Sequence, residues 1–201
     1  MHPPHLSEEY TTIMPDRRHR EERNEIDMIT NEVLQCLKTR RSVRQYLPKQ
    51  VDEDQLAAIL EAVTYAASGN GKQSGKIVVV QDPADIAELD RLNAAVMGSN
   101  GHPFYGAPTV CVVLADPAVA TCVEDGSVII DNMMIAAHSL GVASCWIHRA
   151  RQVFDSPEGK ALLAKWGVDG NYIGVGHCIL GYAAAEPGQP KPRKADYIVR
   201  P

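Results

Sequence analysis

Residues Cys122 to Leu140 restrict most tightly what this chain can fold into. Val128, Ile129, Ile130, Met133, Met134, Ile135, Ala136 and Ala137 place apolar side chains nearly all round a helix, so the helix has to be buried on several sides. A membrane span fits poorly. Glu124, Asp125, Asp131, Asn132 and His138 would have to enter hydrocarbon, which is costly for each of them. Burial against a second copy of the chain is the cheaper solution, and the Met pair and His138 read as packing groups.

On either side of this helix, patterns of helix and strand alternate. Ile26, Ile29, Val33 and Leu37 recur at helical spacing. After Pro48, Asp52 and Gln55 form a capping pair for a helix with Leu56, Ile59, Leu60, Val63 and Ala67 on one face. Ile77 to Val80 is a β-branched run, too short for a helix. Asp82 and Pro83 start another helix, along which Ile86, Leu89, Asn93 and Val96 trace one face. Asn93, on that mostly apolar face, is either a donor to a ligand or a satisfied core amide. Thr109 to Ala115 and Ala143 to His148 read as strands. Asp155-Ser-Pro-Glu158 opens a helix carrying Leu162, Leu163 and Trp166, and Tyr172 to Tyr182 returns to strand. Tyr197 to Val199 reads as a final strand. The sum is one α/β domain, residues 26–201, with helices around a small sheet. Met1 to Glu25 is rich in Pro, His, Arg and Glu without apolar periodicity; it reads as a flexible arm, with neither a signal-peptide core nor a transit-peptide composition.

Chemistry concentrates at Lys38 to Tyr46, where Lys38, Arg40, Arg41 and Arg44 stand with the hydroxyls of Thr39 and Ser42. A guanidinium offers a planar fork that matches a phosphate, and a hydroxyl adds a neutral donor. In an extended segment Arg40, Ser42 and Arg44 would share a face and converge on one anion. Alternatively, the cations sit at the negative end of the preceding helix. Ser68 to Gly75 is a loop whose three glycines allow close backbone approach, with Ser68, Asn70, Lys72 and Gln73 as polar groups; it reads as a ligand loop or as an ordinary turn, and it lacks the ending of a Walker loop. Pro187 to Lys194 is Pro-rich, basic and extended, so its cations can complete the site begun by Arg40 and Ser42.

With a net charge of -5 there is no broad basic surface for nucleic acid, and the cations matter by location. The five cysteines lack a Cys-x-x-Cys pair, which suggests reduced thiols in a cytoplasm and no metal site.

Arg40-Arg41-Ser42-Val43-Arg44, the Ser68 loop, Ala107-Pro108 before a strand, the helix ending Asn132 to Gly141, and Lys191-Pro-Arg193 occur in that order. This ordered set resembles the FMN-dependent nitroreductase family over about residues 30–201. The resemblance implies an α+β fold, a mixed sheet flanked by helices, and an intertwined homodimer holding two flavins at its interface. It implies that Arg40, Arg41 and Ser42 hold the FMN phosphate and ribityl end, that Arg44 lies near the flavin pyrimidine, and that Lys191 and Arg193 complete the phosphate site. Ser68, Asn70 and Gln73 would reach the partner's flavin. Trp146, Ile147 and His148 would run along the ring, with a main-chain N–H of His148 or Arg149 at the flavin N5. NAD(P)H would deliver hydride, and a nitroaromatic, quinone or similar electron-poor small molecule would then take the same place and be reduced, with His148 a candidate proton donor. One departure stands out: the family's Asn-x-Gln-Pro-Trp loop is replaced by Gly71-Lys-Gln-Ser-Gly75. A flavin-binding sensor or carrier without turnover, or a site for another phosphorylated ligand, are the competing readings.

Overall fold

A computed structural model describes residues 29–201. Helix α1 (Glu32–Thr39) is followed by α2 (Glu53–Val63), β1 (Gly75–Val80), α3 (Pro83–Met97), β2 (Thr109–Ala115), α4 (Cys122–Ser139), β3 (Ala143–Ile147), α5 (Ala150–Asp155), α6 (Pro157–Lys165) and β4 (Ile173–Gly181). The strands form one sheet in the order β1-β2-β4-β3, every neighbour antiparallel. The parallel part of the expected mixed sheet reduces to a single bridge between Ser42 and Ser144.

All seven residues of β2 are buried, because both faces of the sheet are covered. Cys111, Val113 and Ala115 point to the layer of α2 and α4, where Ile59, Ile130, Met133 and Ala137 close the core. Val110, Val112 and Leu114 point the other way, to Leu89 of α3, Phe104 and Phe154. Full burial of such a side chain stabilises by about 1.5–3 kcal/mol, so these two layers hold the domain together. The apolar face of α4 is thus largely explained within one chain.

The helix ends follow local chemistry. The Asp82 carboxylate accepts hydrogen bonds from the N–H groups of Ala84 and Asp85 at 3.0 Å each, and Gly98 ends α3 in the left-handed conformation. α1 starts later than the spacing predicts, since Asn31 caps it by accepting from Leu34 N–H at 2.8 Å. Ile26 and the proposed arm, residues 1–25, lie outside the described residues. At α2 the start is as expected but the capping pair is not. Asp52 turns to Lys49, 3.2 Å away, and the Gln55 amide reaches the Leu140 carbonyl at 2.8 Å. Helix α5 has no counterpart in the sequence reading. Ser156 caps α6 by accepting from Gly159 N–H at 3.0 Å. Tyr197 to Val199 form no strand. Among the described residues no neighbouring strand offers them a ladder, and they are exposed. Among the described residues no helix is long and apolar enough to cross a membrane.

Candidate functional site

The basic segment leaves α1 at Arg40, whose ψ of 135° starts an extended run. That run is stitched to the sheet. Val43 N–H donates to the Ser144 carbonyl at 3.0 Å, Leu47 N–H to Tyr182 at 2.8 Å, and Ala184 N–H to Gln45 at 3.0 Å. Val43 is buried and the Tyr46 hydroxyl donates to its carbonyl at 3.0 Å, while Arg44 stays exposed. Extended geometry is therefore imposed from both sides.

Against this run lies the segment after β4. Arg40, Arg41, Ser42 and Arg44 line one cavity of about 430 Å³ with Gly188, Gln189, Pro190, Lys191 and Arg193. Five cations and no acid line it, and among the described residues no acidic group pairs with any of the five. The cluster gathers at one cavity with Arg41 included, rather than through the alternate positions alone. Arg41 does serve the helix end, donating to the carbonyls of Lys38 at 2.9 Å and Arg40 at 2.6 Å. Nearby, His138 on α4 meets the Thr39 hydroxyl at 2.8 Å. Burial, and then the charges of Arg40 and Arg41, hold its pKa below the ordinary histidine value.

The Ser42–Ser144 bridge places this cavity at the start of β3, an edge strand. At a rise of about 3.3 Å per residue, His148 lies some 13 Å further along. There Ile147 is buried, the His148 side chain is exposed, and Arg149 turns the chain into α5 with a φ of 78°. Asn93 does not face open space. It is fully buried and donates its amide to the His148 carbonyl at 2.7 Å.

The Ser68 loop forms a second locus. Asp125 of α4 is buried and accepts hydrogen bonds from Gly69 N–H at 2.9 Å and the Ser74 hydroxyl at 2.6 Å. The Ser74 hydroxyl, then the Gly69 N–H, hold the Asp125 carboxyl below the usual carboxylate range against its burial. Asn70 and Gln73 both adopt left-handed backbone, with φ of 53° and 49°. Asn tolerates that region; for Gln it is strain. Ser68 and Gln73 line a cavity of about 310 Å³ with Asp125, Ile129 and Ile77, and Asn70 is exposed outside it. This cavity shares no lining residue with the basic one. Within one chain the structure thus unites Arg40, Arg41, Ser42, Arg44, Lys191 and Arg193, sets Ile147 at the end of β3 with His148 and Arg149 just beyond it, and keeps Ser68, Asn70 and Gln73 apart.

Sequence reasoning missed the parts played by Ser144 and Asp125. No local signal separates Asp125 from Glu124 and Asp131 on the same helix. Among the described residues no group of three or more His, Cys, Asp or Glu side chains could hold a metal ion.

Such a site defines a class: an α+β protein with a basic, acid-free cavity beside the edge of its sheet. The chain belongs to the nitroreductase family, whose model matches residues 37–182. It is similar to a nitroreductase with bound FMN from Bacteroides fragilis, at 37% identity over 85% of this chain and 99% of that one, with a TM-score of 0.79. A second nitroreductase with bound FMN, from Desulfitobacterium hafniense, is 26% identical over 86% and 99% of the two chains, with a TM-score of 0.77. An Archaeoglobus fulgidus protein named "Putative NADH dehydrogenase/NAD(P)H nitroreductase" is 29% identical over 77% of this chain and 87% of its own length.

Proposed function

We propose that this protein is an FMN-dependent oxidoreductase that takes hydride from NAD(P)H and passes it to nitroaromatic, quinone or similar electron-poor acceptors by a ping-pong scheme. The observation that carries the reading is the acid-free cavity of five cations at the head of the edge strand β3. Its donor set suits a phosphate dianion, since guanidinium groups and the Ser42 hydroxyl can donate and, among the described residues, no carboxylate neutralises them. The FMN seen in the relatives fits that site, and family membership with named NAD(P)H nitroreductases supports the electron donor.

Bound FMN supplies the redox chemistry, and the chain supplies binding, orientation and electrostatics. Arg40, Arg41, Ser42, Lys191 and Arg193 hold the phosphate end. Arg44, exposed beside them, sets a positive charge where reduction leaves negative charge on the ring. The backbone of Ile147, His148 and Arg149 lines the ring, and the exposed His148 imidazole is placed to hand a proton to the acceptor.

The protein works as a homodimer. Val33 and Leu37 of α1, 64% and 51% exposed, and Ile29 just before the helix, 78% exposed, leave apolar surface that a second copy would cover. In the dimer Ser68, Asn70 and Gln73 serve the partner's flavin, which accounts for their separation from the basic cavity of their own chain. Five unpaired thiols suit a cytoplasmic setting.

Steady-state kinetics of the FMN-loaded protein with NADH or NADPH and a quinone test this reading. Parallel double-reciprocal lines support ping-pong turnover. A flavin that NAD(P)H does not reduce makes the protein a flavin-binding sensor or carrier instead.

A further inference from the structure

Asn93 is the least economical residue in the α3 layer. It is 0% exposed, its amide nitrogen has one partner, and its Oδ1 is buried with none. An unpaired buried acceptor is destabilising, and a leucine of similar volume would avoid it. The one bond it makes goes to a backbone carbonyl at the candidate site, that of His148.

That bond fixes more than the carbonyl. No cis peptide occurs among the described residues, so the C=O of His148 and the N–H of Arg149 lie in one plane and point in opposite directions. Asn93 lies in the buried α3 layer, and it pulls the His148 carbonyl inward. The Arg149 N–H is thereby turned outward, away from that layer, and no backbone acceptor among the described residues takes it. Arg149 is also held left-handed, at φ 78°, a conformation an arginine adopts only when its surroundings impose it.

We propose that Asn93 is a positioning residue for the flavin: by clamping the His148 carbonyl it aims the Arg149 N–H at the ring nitrogen that accepts hydride. This rests on the flavin reading above and selects Arg149 over His148 as the main-chain donor. The oxidised ring nitrogen is an acceptor, whereas the reduced one carries hydrogen. The aimed N–H therefore favours oxidised over reduced FMN, and it leaves the phosphate contacts unaffected.

The test compares Asn93→Leu with the wild-type protein in thermal stability, in the dissociation constant for oxidised FMN, and in the midpoint potential of bound FMN. Losing the donor weakens oxidised FMN by about tenfold relative to reduced FMN, an ordinary hydrogen bond's worth. For a two-electron couple this raises the potential by about 30 mV. Asn93→Asp is the second variant, and it also serves if the leucine variant does not fold. A buried carboxyl keeps its proton to higher pH, donates like the amide while protonated, and repels the carbonyl once ionised. Its potential should match wild type at low pH and depart upward as pH rises. An affinity that falls equally for both redox states, or a potential equal to wild type in both variants, overturns the assignment. Wild-type protein that binds no FMN refutes the flavin reading itself.

Discussion

The Asp125 carboxylate and the Ser74 hydroxyl meet at 2.6 Å inside the fold, and the other carboxylate oxygen takes the Gly69 N–H at 2.9 Å. One side chain of α4 thus clamps both ends of the loop that carries Asn70 and Gln73. Gly69 packs so closely on the Thr121 side chain that a Cβ would collide with it, which fixes the loop from the outside as well. Asp125→Ala leaves two donors unpaired at about 1–3 kcal/mol each. We expect a loss of roughly 2–6 kcal/mol in urea unfolding, with faster proteolysis at residues 68–74 and weaker FMN binding. Unchanged stability would mean that water replaces the carboxylate and the clamp is dispensable.

Arg40 and Arg44 should separate in their redox signatures. On the proposed flavin reading, Arg44→Ala removes a charge that favours the anionic reduced ring, so the midpoint potential should fall, by about 30 mV for each tenfold of lost preference. On the same reading Arg40→Ala removes a phosphate contact and should weaken both redox states alike, by about tenfold or more. Potentiometry with FMN titrations separates the two. An unchanged potential in Arg44→Ala, or wild-type affinity in Arg40→Ala, would contradict these roles.

His177 predicts acid sensitivity. Its ring is fully buried between Phe104 and Phe154, with centroids at 5.1 and 5.9 Å, and burial pushes its pKa from 6.5 down to about 4. The unfolded chain binds a proton below about pH 6.5 that the native state refuses until about pH 4. Stability therefore falls as pH drops through that window, by roughly 3 kcal/mol in total. His177→Leu should flatten this part of the pH–stability curve. The same slope in the variant would assign the acid sensitivity elsewhere.

Leu37→Glu places a charge at the C-terminal end of the apolar stripe on α1. Sedimentation should show the wild-type chain as a dimer and the variant shifted toward monomer, with FMN affinity falling alongside. A wild-type monomer that binds FMN fully would contradict the dimeric site.

Part of this was legible before the fold. The existence of helix α4 and the cap at Asp82 depend on neighbours in sequence, and both appear in the structure. Alternation along the basic segment did not sort its side chains: Arg41 lines the same cavity as Arg40, Ser42 and Arg44. What was not legible depends on contacts distant along the chain. Nothing near Asn93 announces that its amide ends on His148, 55 residues away, and nothing near Asp125 announces Gly69 and Ser74. Asp52 and Gln55 have the spacing of a capping pair but find stronger partners in Lys49, Leu140 and Tyr182. Tyr197 to Val199 carry strand-like residues without a neighbour to pair with, so propensity has nothing to act on.

The most direct test of the central claim is the visible absorption spectrum of the freshly purified protein, followed by chromatography of what heat releases from it. A flavin spectrum and released FMN are the predicted result. A colourless protein that also fails to take up added FMN would contradict it.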